Sequence, residues 1–128
     1  MDGNETMVVA GIGCRTGCAG EEIAALVRQA AALAACEPTA LAAPEFKADE
    51  PGLQAAAFLL GLTLVRVAAA DLAAAQPRCI TRSERAKAAT GTASVAEGSA
   101  LAAAGPLARL RLPRIASAGA TCAIAVAP

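Results

Sequence analysis

Met7-Val-Val-Ala-Gly-Ile-Gly-Cys-Arg-Thr-Gly-Cys18 is the stretch on which the fold turns. Met7 to Ile12 is a short apolar run with β-branched residues, and such a run bounded by glycines reads as a buried strand. The loop Gly13–Cys18 follows. A helix is then predicted from Ala19 or Gly20 to Cys36. Its apolar residues Ile23, Leu26, Val27, Ala30, Leu33 and Ala34 recur at helical spacing on one face. Glu21 and Glu22 sit in the first turn, where the positive end of the helix dipole favours carboxylates, and Pro38 stops the helix. A strand handing over through a glycine turn to an amphipathic helix is the opening unit of an α/β protein.

The same alternation runs on along the chain. Ala40–Ala43 reads as a second, short strand. Pro44 and the charged run Glu45-Phe-Lys-Ala-Asp-Glu50 form a loop. Pro51 is placed to be the first residue of a helix ending at Leu60, before Gly61. Leu62–Val67 is the third strand, and Ala69–Ala75 a short helix with Asp71 exposed, closed by Gln76-Pro77. A brief helix is expected over Ser83–Lys87, broken at Thr90-Gly91-Thr92. Ser94 and Glu97 have capping-box spacing, so the next helix should start there and end at Gly105-Pro106. Leu107–Leu112 and Thr121–Ala127 read as two further strands joined by a loop at Pro113–Gly119. With no helix between them they can pair antiparallel. The expected architecture is a single three-layer α/β/α sandwich with a parallel or mixed sheet of about five strands. Residues 1–7 form a short polar tail and residues 8–128 the domain.

Composition narrows the functional classes. The chain has 128 residues, of which 56% are hydrophobic but only 2% aromatic: Phe46 and Phe58, with no Trp and no Tyr. The core must therefore be built from Leu, Ile, Val and Ala. Eleven Lys and Arg balance eleven Asp and Glu. A nucleic-acid binder usually carries a basic excess and, for single strands, stacking aromatics, so no nucleic-acid partner is expected. No run of roughly 18 apolar residues is free of charge, so no membrane span is expected. The polar, acidic start is unlike a secretory signal. The five cysteines, an odd number in a domain that needs no staples, fit the cytoplasm.

Three segments could carry chemistry. The first is Gly11-Ile-Gly-Cys-Arg-Thr-Gly17. At a strand-to-helix handover, backbone N–H groups are free and the helix dipole adds positive potential, so an anion is welcome. Arg15 adds a fork of donors suited to carboxylate or phosphate. The plainer explanation is a tight turn with a solvated arginine. The spacing is one residue longer than the dinucleotide fingerprint, and the chain is too short for a dinucleotide domain plus a substrate domain. The second segment is Lys47-Ala-Asp-Glu50, which follows the second strand and so can reach the edge where open α/β sheets bind ligands. Lys47 could hold an anion, and Asp49 or Glu50 could handle protons; a solvated charge run leading into a helix explains the same residues. The third is Gly91-Thr-Ala-Ser-Val-Ala-Glu97, where capping accounts for Glu97.

The remaining chemistry is sparse. Cys14 and Cys18 do not have the spacing of a redox pair, although Cys14 near a helix N-terminus could gain thiolate character. With no histidine, a Cys/His zinc site and a Cys–His nucleophile are both excluded. No metal or cofactor is expected.

Taken in order over about Val8 to Ala127, the three segments and the closing Thr121-Cys-Ala-Ile-Ala125 strand resemble the CobE/CbiG C-terminal domain family of cobalamin biosynthesis. The resemblance implies a part in building the corrin ring. Long members of the family carry additional N-terminal segments and are cobalt-precorrin-5A hydrolases that open a ring lactone and release acetaldehyde. A lone C-terminal domain is similar instead to the stand-alone members of the aerobic pathway, for which carrying or handing over an intermediate is a common suggestion. The motif residues that carry over are Gly11, Gly13, Cys14, Arg15, Lys47, Asp49, Glu50, Ser94 and Glu97. Gly98-Ser99 departs from the alanine or proline expected there.

The expected ligand is thus a corrinoid or precorrin fringed with carboxylates, held by Gly11, Gly13, Cys14, Arg15, Thr16, Lys47, Asp49 and Ser94. Glu50 and Glu97 are the candidate catalytic residues if the protein is an enzyme. Other cobalamin-pathway enzymes are the expected protein partners. With so few aromatics, the ring face should rest on alanine and leucine.

Overall fold

The computed structural model describes residues 7–81 and 94–128. Five strands form one sheet: β1 (Met7–Cys14), β2 (Ala40–Pro44), β3 (Thr63–Val67), β4 (Arg109–Ala116) and β5 (Ala120–Ala127), in spatial order β3-β2-β1-β5-β4. β1, β2 and β3 run parallel, while β5 is antiparallel to both β1 and β4. The helices are α1 (Gly20–Ala34), α2 (Pro51–Leu60), α3 (Ala69–Ala75), continued by a 3-10 turn at Gln76–Arg78, and α4 (Ala96–Ala104). The expected α/β sandwich is the fold observed, and of the two sheet types left open, parallel or mixed, the sheet is mixed.

The period-two alternation of the strands divides the core. Val8, Ala10 and Ile12 of β1 pack with Ile23, Val27 and Ala30 of α1 and Leu53 and Ala56 of α2 on one face. Val9 of β1 packs with Leu72 and Ala75 of α3 and Ala100, Leu101 and Ala104 of α4 on the other. Small residues set how near the layers come. A Cβ on Gly11 would lie 2.0 Å from the carbonyl oxygen of Ala96, and one on Gly52 would lie 2.0 Å from the carbonyl oxygen of Cys18. The alanine-rich α4 therefore lies directly on β1, and the start of α2 lies on the turn entering α1.

Several boundaries differ from expectation. β1 extends two residues past Ile12, because β5 keeps pairing with it through Gly13↔Thr121 and Cys14↔Ala120. Gly11, Gly13 and Cys14 are therefore strand residues. α1 stops at Ala34: Ala35 turns left-handed (φ 57°), and Cys36 N–H donates to Ala31 O at 3.2 Å. Leu33, expected on the apolar face, is exposed. β4 begins at Arg109 and runs through Pro113 to Ala116 with two register shifts, so the connection to β5 shrinks to residues 117–119. Pro113 is tolerated because β4 is an edge strand with a bulge. The helix expected at Ser83–Lys87 lies outside the described residues.

The capping box is not formed. α4 starts at Ala96 with Val95 at its N-cap and no side-chain cap. Ser94 Oγ donates instead to Thr81 O, and Glu97 faces inward. Tertiary donors outcompete the local ones, because a buried carboxylate must find several partners.

Candidate functional site

The carboxyl ends of β1, β2 and β3 share one edge of the sheet, so the loops that leave them, residues 15–19 and 45–50, are neighbours. The tight β4–β5 connection joins them there, since Arg15 N–H donates to Gly119 O at 2.9 Å. α1 and α2 begin at this edge, and Val95, at the start of α4, lies beside Gly13. The N-termini of α1, α2 and α4 thus face this edge, and their positive ends meet the Glu22 and Glu50 carboxylates there as well as Arg15 and Lys47.

The two segments singled out in the sequence meet here. Lys47 Nζ donates to Thr16 Oγ1 at 3.1 Å and pairs with Glu50 at 3.5 Å. Glu50 accepts from Gly17 N–H at 2.7 Å. This N–H bond, with the Lys47 ammonium, holds the Glu50 carboxyl below its ordinary range. Gly17 supplies the turn with φ 84°. Arg15 is exposed beside this knot. Cys14 is partly buried, and its thiol is raised by burial despite the pull of Lys47. Cys14 packs against the core as a small apolar residue, and the thiolate character a helix N-terminus could give does not develop, because desolvation outweighs the nearby cation.

Other candidates have different surroundings. Asp49 is largely exposed and pairs with Arg66 of β3. Gly11 is buried beneath α4, and Gly13 lies between Thr121 and Val95. Ser94 is buried and held by Gln76, whose side chain both accepts from Ser94 N–H (3.0 Å) and donates to Ser94 O (2.8 Å). Glu97 is only 1% exposed. Its Oε1 accepts from the N–H groups of Ile80 and Thr81, both at 2.8 Å, and its Oε2 from Arg114 N–H at 2.9 Å. It ties the segment after α3 to the bulge of β4.

Two ties at this edge have no local signature in the sequence. Glu22, read there as a first-turn helix residue, accepts from Ser117 Oγ and from Gly119 N–H (2.7 Å). Those bonds keep its carboxyl below the ordinary range. Cys18, packed beside Glu22, is pushed up to about 11, by burial first and then by the Glu22 charge. The Glu22 bonds close loops of 95 and 97 residues, which no short-range pattern announces. Gln76 is the other such tie. Among the described residues, no group of three or more His, Cys, Asp or Glu side chains could hold a metal ion.

Fold and edge together define a small mixed α/β domain with a glycine-loop edge that carries both cations and carboxylates. The family profile described as cobalamin synthesis G C-terminus matches residues 8–125. A curated relative, protein CobE from Sinorhizobium sp, is 39% identical over 121 residues, covering 92% of this chain and 79% of its own. The crystal structure of CobE, a protein from the cobalamin (vitamin B12) biosynthetic pathway, superposes with a TM-score of 0.89 at 36% identity, covering 95% of this chain and 91% of that one. The cobalamin biosynthesis protein chiG from Agrobacterium tumefaciens str. C58 gives 0.77 at 41% identity, covering 94% and 98%. A putative cobalamin biosynthesis protein G homolog from Sulfolobus solfataricus, at 22% identity, shares the fold (TM-score 0.72) over 95% of this chain and 37% of that longer one. The chain belongs to the cobalamin synthesis G C-terminal family and is a cobalamin-biosynthesis protein.

Proposed function

We propose that this protein binds a carboxylate-rich corrin-ring intermediate at the edge formed by residues 15–19 and 45–50, and hands it on within the aerobic pathway without transforming it. The observation that carries the reading is the state of the two candidate acids. Glu50 is committed to Gly17 N–H and Lys47, and Glu97 is buried against three backbone N–H groups. Neither presents a free carboxyl to a substrate, as proton transfer requires. The edge also presents a cation, the exposed Arg15, beside the N-termini of α1, α2 and α4, while Lys47 is engaged by Thr16 and Glu50 and would meet a ligand carboxylate by exchanging it for Glu50. Ring carboxylates are the ligand chemistry that fits. The cytoplasm suits the five free thiols, and no helix among the described residues is long and apolar enough to cross a membrane.

The test is a titration with hydrogenobyrinic acid, followed by visible absorbance and gel filtration. Co-migrating colour at about one ligand per chain, weakened in Arg15→Ala without loss of fold, is the expected result. Absence of co-migration with wild-type protein would overturn the reading. Acetaldehyde release from precorrin-5 would replace it with the hydrolase of the longer family members. Co-elution with a pathway enzyme without ligand binding would replace it with an assembly role.

A further inference from the structure

Only two aromatic side chains are present, and the fold buries neither: Phe46 is 57% exposed and Phe58 is 86% exposed. Their positions differ. Phe58 lies on the outer side of α2, about two turns from the helix start that faces the edge. Phe46 lies at the edge itself, in the β2–α2 loop, next to the lysine that reaches Thr16.

The Phe46 loop is built rigidly. Lys47 N–H donates to Pro44 O at 2.8 Å and Glu50 N–H to Lys47 O at 3.0 Å. Gln54 Nε2 donates to Ala48 O at 2.8 Å. Ala48 is fully buried, so the loop does insert a side chain into the body of the protein, and that side chain is the smallest one available. In a core starved of large apolar groups, the phenyl ring is held in water one position before the cation. Phe46 is flanked in sequence by Glu45 and Lys47, and an exposed planar apolar side chain on the loop that carries Lys47 suits a planar apolar ring fringed with carboxylates.

Resting on the corrinoid reading above, we infer that Phe46 is the side chain on which the macrocycle face lies, with Lys47 and Arg15 taking carboxylates at its rim. This reverses the expectation that alanine and leucine alone would meet the ring.

The test is the absorbance titration with hydrogenobyrinic acid, run on wild type, Phe46→Ala, Phe46→Tyr and Phe58→Ala. Both rings are exposed, so all three variants should fold, which far-ultraviolet circular dichroism verifies. Phe46→Ala should weaken binding by about tenfold or more, because it removes most of one aromatic contact. Phe46→Tyr, which keeps the planar ring, should stay within about threefold of wild type, and Phe58→Ala should match it. If wild type binds and Phe46→Ala binds equally well, or if Phe58→Ala weakens binding as much, the Phe46 assignment is overturned and the corrinoid reading stands. If wild type does not bind, both fall.

Discussion

Replacing Gly11 with alanine should destabilise the protein, although the same change in an unencumbered strand stabilises by roughly 0.5–1 kcal/mol. The new methyl would sit 2.0 Å from Ala96 O, 2.6 Å from Ala100 N and 2.9 Å from Ala100 Cβ. Two of these three atoms are backbone and none can rotate away, so α4 must retreat by on the order of 1 Å to restore ordinary contact. A gap of that size forfeits about a quarter to a half of each dispersion well it opens. The losses fall on the layer holding Val9, Ala42, Leu101 and Ala125. The retreat also stretches the bonds from Glu97 to Ile80, Thr81 and Arg114. Overpacking of this kind costs about 1–3 kcal/mol, and contact with rigid backbone puts Gly11→Ala near the top of that range. For a domain of this size the melting temperature should fall by on the order of 10 °C. Urea and thermal unfolding followed by far-ultraviolet circular dichroism measure it, since the chain has no Trp or Tyr to report by fluorescence. Gly61→Ala is the companion: its methyl meets nothing within 4 Å, and only the left-handed backbone (φ 67°) opposes it, at about 1 kcal/mol. A Gly11→Ala protein as stable as wild type, or more stable, would refute the close approach of α4 to β1.

Glu97→Gln should destabilise by about 2–4 kcal/mol, because one side-chain oxygen becomes an N–H₂ group facing a backbone donor; a denaturant midpoint within experimental error of wild type would contradict the clamp. Glu22 and Glu50 both have folded-state carboxyls below the ordinary value of 4.5. Their contribution to stability is therefore present above that value and is lost as pH falls through the folded one. Stability of Glu50→Gln should accordingly depend less on pH below 4.5 than that of wild type, and parallel pH profiles would count against the Gly17 contact. Cys122, pushed up to about 12 by burial, should resist alkylation at pH 8 until the protein unfolds. Cys18, pushed up to about 11, should react about tenfold more slowly than an ordinary thiol of 9.0, because its lower thiolate fraction outweighs the greater nucleophilicity of a more basic thiolate. Mass-resolved labelling time courses check both, and rapid native labelling of Cys122 would refute its burial.

Much was legible from local pattern. The run at Met7–Ile12, the 3.6-residue spacing from Ile23 to Ala34, Pro51 and Gly61 are each sufficient to place an element, because they act through backbone preference within a few residues. Order along the chain then implied a parallel or mixed sheet whose last two strands could pair antiparallel, and the mixed form with that pair is the one observed. The knot of Lys47, Thr16 and Glu50 was half legible: both loops were placed at one edge, but not the bond from Gly17 that engages Glu50 as an acceptor.

The sequence by itself therefore determined the element order, the fold class and the two loops that form the edge. Those features rest on periodicity, turn chemistry and the rule that strand ends in an open α/β sheet converge. Only the tertiary structure decided what each polar group does there. Ser94 and Glu97 have the spacing of a local cap, yet burial drew them to Thr81, Ile80 and Arg114; Glu22 found its donors on a hairpin 95 residues away. A buried or half-buried polar atom binds whichever donor the packed chain brings within reach, and that choice is made by three-dimensional proximity.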